Sequence, residues 1–154
     1  MSDGIEGLKE VNMALNGLMA ALSPAGRRKI GLKLGQLLRK ENQRRIAANV
    51  APDGSAFEPR KPQSGKKNLR TKMFGKLRQS SHIRIKAGSD EVRIEFKSRA
   101  GQIAAVHHFG LRDKISDKVK KTVRYPARPL LGFSKDDLEA MEALILDHVA
   151  AGLR

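Results

Sequence analysis

A chain of 154 residues suffices for one domain that buries roughly two thirds of its unfolded surface, and its 31 Lys and Arg against 16 Asp and Glu leave a net charge of +15. Such a surplus selects a partner rich in negative charge, either nucleic acid or an acidic protein face. With no cysteine, neither a disulfide framework nor a thiolate metal site is available, and with one Tyr and five Phe as its only aromatics the core has to lean on small aliphatic side chains.

The opening acids Asp3 and Glu6 stand where a signal peptide carries positive charge. The uncharged run from Val11 to Gly26 is interrupted by Asn12, Asn16 and Pro24 and is too short to span a bilayer, so no membrane partner is expected. Ile5, Leu8, Val11, Leu15, Leu18, Met19 and Leu22 recur at steps of three and four, which predicts a first helix over residues 3–22. Ser23 and Pro24 supply an N-cap and a proline at the first helical position, opening a second helix with the stripe Ile30, Leu34, Leu37, Leu38 and Ile46. Its other face is basic: Arg27, Arg28, Lys29, Lys33, Arg39, Lys40, Arg44 and Arg45 oppose only Glu41, a net +7 over residues 23–50. That face is either solvated or a docking surface for an acidic partner.

Periodicity disappears from Val50 to Asn68, where Pro52, Gly54, Pro59, Pro62 and Gly65 punctuate a loop with a turn at Pro52-Asp53-Gly54 and Phe57 as its anchor. Loops of this length are functional or disordered. The pair Gly65-Lys66 does not complete a phosphate-binding loop, because Arg60 stands at the earlier glycine position and Lys67 at the Ser/Thr position. A short basic helix is predicted over Leu69–Ser80 with Met73, Phe74 and Leu77 inward. A hairpin follows: Ile83, Ile85 and Ala87 alternate with Arg84 and Lys86, Gly88-Ser89-Asp90 turns, and Val92, Ile94 and Phe96 alternate with Arg93, Glu95 and Lys97. Glu91 and Glu95 have basic neighbours across the strands.

Ser98 is placed to cap a short helix with Ile103, Ala104, Val106 and Phe109 inward and Gly110 at its end. His107 and His108 point about 100° apart on such a helix and cannot both ligate one metal, so one is expected to pack or hydrogen-bond, the other to face solvent or a neighbour, and no metal is expected. Residues 111–122 read as a second flexible basic loop, with Val123–Tyr125 adding a strand. The segment from Tyr125 to Asp137 organises the rest. Pro126 and Pro129 keep its first half extended, and Ser134 with Asp136 and Asp137 opens a last helix, roughly Lys135–Ala151, striped with Leu138, Met141, Leu144, Ile145, His148 and Val149. Leu130, Leu131, Phe133 and Phe109 are expected mostly in the core. Arg128, between the prolines, is expected to clamp a carboxylate within its own chain or across a subunit boundary.

The acidic ends, residues 1–22 at −2 and 133–154 at −3, flank a middle of +20, so copies can pair head to tail. Candidate interface or DNA-facing residues are Arg44, Arg45, Asp53, Gly54, Lys66, Lys67, Arg70 and Arg128. A nucleic-acid-binding protein is the competing reading, with phosphate contacts from Lys66, Lys67, Arg70, Lys72 and the second helix, although the aromatics do not form a stacking row. No catalytic residue or cofactor is expected: His82, His107, His108 and His148 are scattered, and no paired carboxylates stand in an apolar context.

The segments LSPAGRRKIG (22–31), RRIAANVAPDGSAFEPRKP (44–62), MFGKLR (73–78), IAAVHHFGLRDKIS (103–116) and VRYPARPLLGFSKDD (123–137) resemble, in order and spacing, the virion morphogenesis or tail completion proteins of contractile-tailed temperate phages such as Mu. The resemblance implies a non-enzymatic virion protein acting at the head-proximal end of the tail. It further implies a homo-oligomeric ring, a hexamer by analogy, that meets the tail tube and the head–tail connector, with DNA passing through its lumen. The fold expected from the elements themselves is α+β, helices around a small antiparallel sheet with long basic loops, in one domain over residues 1–154.

Overall fold

The computed structural model describes residues 7–13, 16, 22–61 and 73–152. Residues 7–13 are helical and form α1. After them come α2 (Pro24–Ala47), β1 (Ile83–Ala87), β2 (Val92–Phe96), α3 (Ser98–Phe109), β3 (Arg112–Ser116), β4 (Val119–Arg124) and α4 (Lys135–Gly152). The fold is α+β, with the strands in two separate antiparallel hairpins, β1 with β2 and β3 with β4. Contacts gather into two units: Met1–Glu41, Arg84–Glu95 and Phe133–Arg154 form one, and Asn42–Ile83 with Phe96–Gly132 form the other.

In the first unit, α2 starts as its sequence requires. The Ser23 hydroxyl accepts the Gly26 N–H at 3.1 Å and the Ser23 carbonyl accepts that of Arg27 at 2.9 Å, with Pro24 at the position that needs no donor. Ile30, Leu34 and Leu38 from α2 pack with Met141 and Ile145 from α4, and Val11, Leu22, Leu37, Ile94, Leu138, Leu144 and Val149 surround them. The expected stripes of both helices are therefore the ones buried. Ile5, Leu15, Leu18 and Met19 lie outside the described residues. Gly35 lets the β1–β2 hairpin approach: a Cβ there would stand 2.5 Å from Ile85 Cγ2. On the outer face of the hairpin, Arg84 and Lys86 (3.2 Å) pair with Glu95, and their hydrogen bonds, Arg84's first, hold its carboxyl below the usual range. α4 opens with a reciprocal box, the Asp137 N–H donating to the Ser134 hydroxyl and the Ser134 N–H to the Asp137 carboxylate, both at 3.0 Å.

In the second unit, Ile46, Ala51, Phe57, Met73, Leu77, Ala100, Ala104 and Leu130 form the core, with Phe74 and Phe96 packed against it. Phe57 anchors its loop as expected. Several expectations change here. Residues 75–82 run through turns and a bend instead of the second half of a helix over 69–80, whose first residues 69–72 lie outside the described ones, although Met73 and Leu77 do point inward. Ser98 does not cap α3. Lys97 holds the N-cap position without a side-chain bond, and Ser98 itself sits at φ 47. Phe109 is 68 % exposed, not inward. It lies nine positions beyond the buried Ala100, about 180° around the helix, so the face that buries Ala100 and Ala104 turns Phe109 out. Ile103 and Phe133 are also exposed. Residues 111–122, expected as a loop, belong mostly to the β3–β4 hairpin.

Candidate functional site

The arm Tyr125–Gly132 leaves β4 extended, and four of its backbone N–H groups find partners in the second unit. The Tyr125 N–H donates to the Leu111 carbonyl (3.0 Å), that of Arg128 to the His107 carbonyl (2.7 Å), that of Leu130 to His108 Nδ1 (3.1 Å) and that of Gly132 to Asn42 Oδ1 (3.0 Å). Gly110, at φ 68, ends α3 and admits the arm, since a Cβ there would lie 2.9 Å from the Ala127 nitrogen. At the far end, Arg45 Nη2 donates to the Gly132 carbonyl (3.1 Å) and to Asn42 Oδ1 (3.0 Å), and a Cβ on Gly132 would lie 2.7 Å from Pro52 Cγ.

Arg128 is buried and donates from Nε to the Glu58 carbonyl (2.7 Å) and from Nη2 to the Pro59 carbonyl (3.2 Å). The expected carboxylate clamp is thus a carbonyl clamp within the chain. The loop before it has no ladder to occupy its carbonyls, and the planar guanidinium fork supplies two parallel donors. Burial lowers the Arg128 pKa, Glu58 opposes that shift and Arg60 adds to it, yet the group stays charged.

Both histidines are engaged within the chain, where one of them was expected to face solvent or a neighbour. His107 packs edge-on between Phe74 (4.9 Å) and Tyr125 (4.8 Å), and Phe57 meets Phe74 in turn at 6.0 Å. Burial, then Arg128 and Arg60, lowers its pKa. His108 accepts from the Leu130 N–H and is lowered by burial alone. Both rings are therefore neutral near pH 7, and the proton of His108 resides on Nε2.

Of the residues singled out from sequence, Arg45 and Arg128 come together at the two ends of the arm. The Asp53–Gly54 turn joins them through Pro52. Asp53 Oδ1 accepts both the hydroxyl and the N–H of Ser55, which lowers the Asp53 pKa, and Gly54 at φ 88 closes the turn with its N–H on the Ala51 carbonyl. Arg44 is exposed on the last turn of α2. Lys66, Lys67 and Arg70 lie outside the described residues.

The most exposed element of this unit was not singled out. Every residue from Leu111 to Thr122 is exposed, with Leu111, Ile115 and Val119 showing 44 %, 51 % and 42 % of their surfaces. Arg112, Lys114, Lys118, Lys120, Lys121 and Arg124 outnumber Asp113 and Asp117, a net +4. Arg112 pairs with Arg124, Lys114 with Thr122 and Ser116 with Val119, leaving Asp117-Lys118 as a two-residue turn. That short turn between β-branched residues was the legible signal. Among the described residues, no group of three or more His, Asp or Glu could hold a metal ion, and no helix is long and apolar enough to cross a membrane.

The chain is an α+β protein whose arginines and histidines brace its own arm and whose basic β3–β4 hairpin is exposed. The sequence model of the phage virion morphogenesis family matches residues 7–150, and the chain belongs to that family. It is 42% identical over 139 residues, spanning 88% of this chain and 92% of the relative, to Tail completion protein S of Escherichia phage P2. No solved structure matches the chain.

Proposed function

We propose that this chain is a structural virion protein that completes the phage tail at its head-proximal end, as one subunit of a ring on the tail tube, and so enables the tail to join a DNA-filled head. The reading rests on one observation: 42% identity across nearly the whole of both chains with a protein named for tail completion. Chemistry at the arm favours a structural role over a catalytic one, because His107 is packed between rings and His108 is spent on the Leu130 N–H. The ring is supported by surfaces that one copy leaves uncovered. A basic hairpin with exposed Ile115 and Val119, and an acidic α4, are elements that a closed set of identical contacts buries on every subunit. A hexameric ring would meet the tail tube and the connector and surround the DNA path, assembled in the host cytoplasm and carried in the virion.

The test is electron microscopy of the lysate from a phage lacking this gene, with the gene supplied in trans as control. DNA-filled heads beside detached, abnormal or overlong tails, rescued by complementation, is the expected result. Normal joined particles in its absence would overturn the proposal.

A further inference from the structure

The β3–β4 hairpin projects charge and apolar surface that nothing described in the chain covers. Two strands alone are marginal in water unless a helix or a third strand packs on them, so a hairpin with both faces exposed is an element lacking its partner. The cations Arg112, Lys114, Lys118, Lys120 and Lys121 make no ion pair with any described carboxylate.

The complementary surface is on α4. Asp136, Glu139, Glu142 and Asp147 are exposed, as is Leu146 at 59 %, and at 100° per residue they fall within an arc of about 140°. Lys135 is the one Lys or Arg of this helix. None of these four carboxylates pairs with a described cation. The lengths also agree: from Asp136 to Asp147 the helix rises about 16 Å, and five residues of β3 extend about 16 Å. Each surface places apolar side chains among charges mostly of one sign, Leu111, Ile115 and Val119 on the hairpin and Leu146 on the helix.

We infer that the β3–β4 hairpin of one copy docks on the outer, acidic face of α4 of a second copy. This deepens the ring reading above and rests on it. The contact is heterologous, using two different patches, so every subunit offers one of each and the interaction repeats around an assembly. Lys121, on the face of β4 that carries Val119, and Lys118 at the turn meet Glu139, Glu142 and Asp147, and the aliphatic residues fill the centre of the contact.

The experiment uses charge reversal in the full chain, read by analytical ultracentrifugation. The hairpin variant carries Lys118→Glu and Lys121→Glu, and the helix variant carries Glu139→Lys, Glu142→Lys and Asp147→Lys. Each alone is expected to weaken self-association by about tenfold or more, since like charges then face each other. Mixing the two variants, or combining both sets in one chain, restores it. Because the chain has no cysteine, a second readout guards against misfolded variants: Lys121→Cys protein mixed with Glu142→Cys protein and oxidised by dissolved oxygen with a copper catalyst forms a disulfide-linked dimer, and each alone does not. If the parent assembles but neither reversal nor the cysteine pair has an effect, the ring stands and this interface is overturned. A parent that remains monomeric at every concentration overturns the ring reading with it. If the hairpin reversal instead leaves assembly intact and abolishes retention of duplex DNA, the hairpin is a phosphate-binding surface and the inference is wrong.

Discussion

Arg128 Nε donates to the carbonyl of Glu58, 70 residues earlier in the chain, at 2.7 Å. This bond and its companion to Pro59 tie the proline-stiffened arm to a loop whose own described backbone bonds all lie before Glu58, around the Val50–Ala56 bridge. Arg128→Ala strips both carbonyls of a charged donor and removes a packed side chain. It is expected to cost about 1–3 kcal/mol, less than a fully sealed site because Glu58 and Pro59 are exposed enough for water to replace the guanidinium. Arg128→Lys recovers only part, since an ammonium cannot reproduce the fork. Urea denaturation of the three proteins is the measurement, and an unchanged midpoint in Arg128→Ala would show that the clamp contributes nothing.

Gly35 lies where the β1–β2 hairpin packs against α2. Alanine on a helix interior normally stabilises relative to glycine, but here its methyl would stand 2.5 Å from Ile85 Cγ2 and 3.2 Å from Val92 Cγ2. Gly35→Ala is therefore expected to destabilise by about 1–3 kcal/mol through overpacking. Shortening the neighbour relieves the clash, so Gly35→Ala with Ile85→Ala should be more stable than the two single costs added together. Additive costs in thermal melts would place the fault elsewhere.

Leu130 and Phe109 read alike in the sequence, and the structure separates them. Leu130 is 1 % exposed in the core of its unit, so Leu130→Ala is expected to cost roughly 2–5 kcal/mol. Phe109 is 68 % exposed, and Phe109→Ala should stay within about 0.5 kcal/mol. A larger loss at Phe109 in chemical denaturation at low protein concentration would show that it is buried after all.

His107 and His108 both have folded-state pKa values below the ordinary 6.5, chiefly because of burial. The unfolded chain then binds protons more readily than the folded one. Stability from these two groups is complete above about pH 6.5 and is lost as pH falls from there through the depressed folded values. The midpoint of thermal unfolding should fall between pH 7.5 and pH 5.5, and the fall should shrink in His107→Phe and in His108→Asn. A fall of equal size in both variants would assign the effect to other groups.

The local devices were legible because they depend on neighbours in sequence. Ser23-Pro24 and Ser134 with Asp137 cap the helices they were expected to cap, since a hydroxyl three residues from a free N–H needs nothing distant. The stripes of α2 and α4 and the β1–β2 alternation were equally clear, since a period of 3.6 or 2 decides which face is apolar. Ser98 failed as a cap, where Lys97 takes the terminal position, and residues 111–122 concealed a hairpin because their alternation is broken by a bulge between Lys114 and Ser116.

What the sequence determined by itself is the composition of the protein: capped amphipathic helices, an extended proline arm, a basic middle between acidic ends, and the motifs of its family. Only the tertiary structure decided where the charges of the candidate site go. Arg45 and Arg128, both candidates for an interface or a DNA-facing surface, turn inward because the arm and the loop each leave backbone carbonyls without ladder partners, and one guanidinium supplies several charged donors to them at once. That demand is set by chain segments as much as 87 residues apart, from Arg45 to Gly132, and no local pattern encodes it.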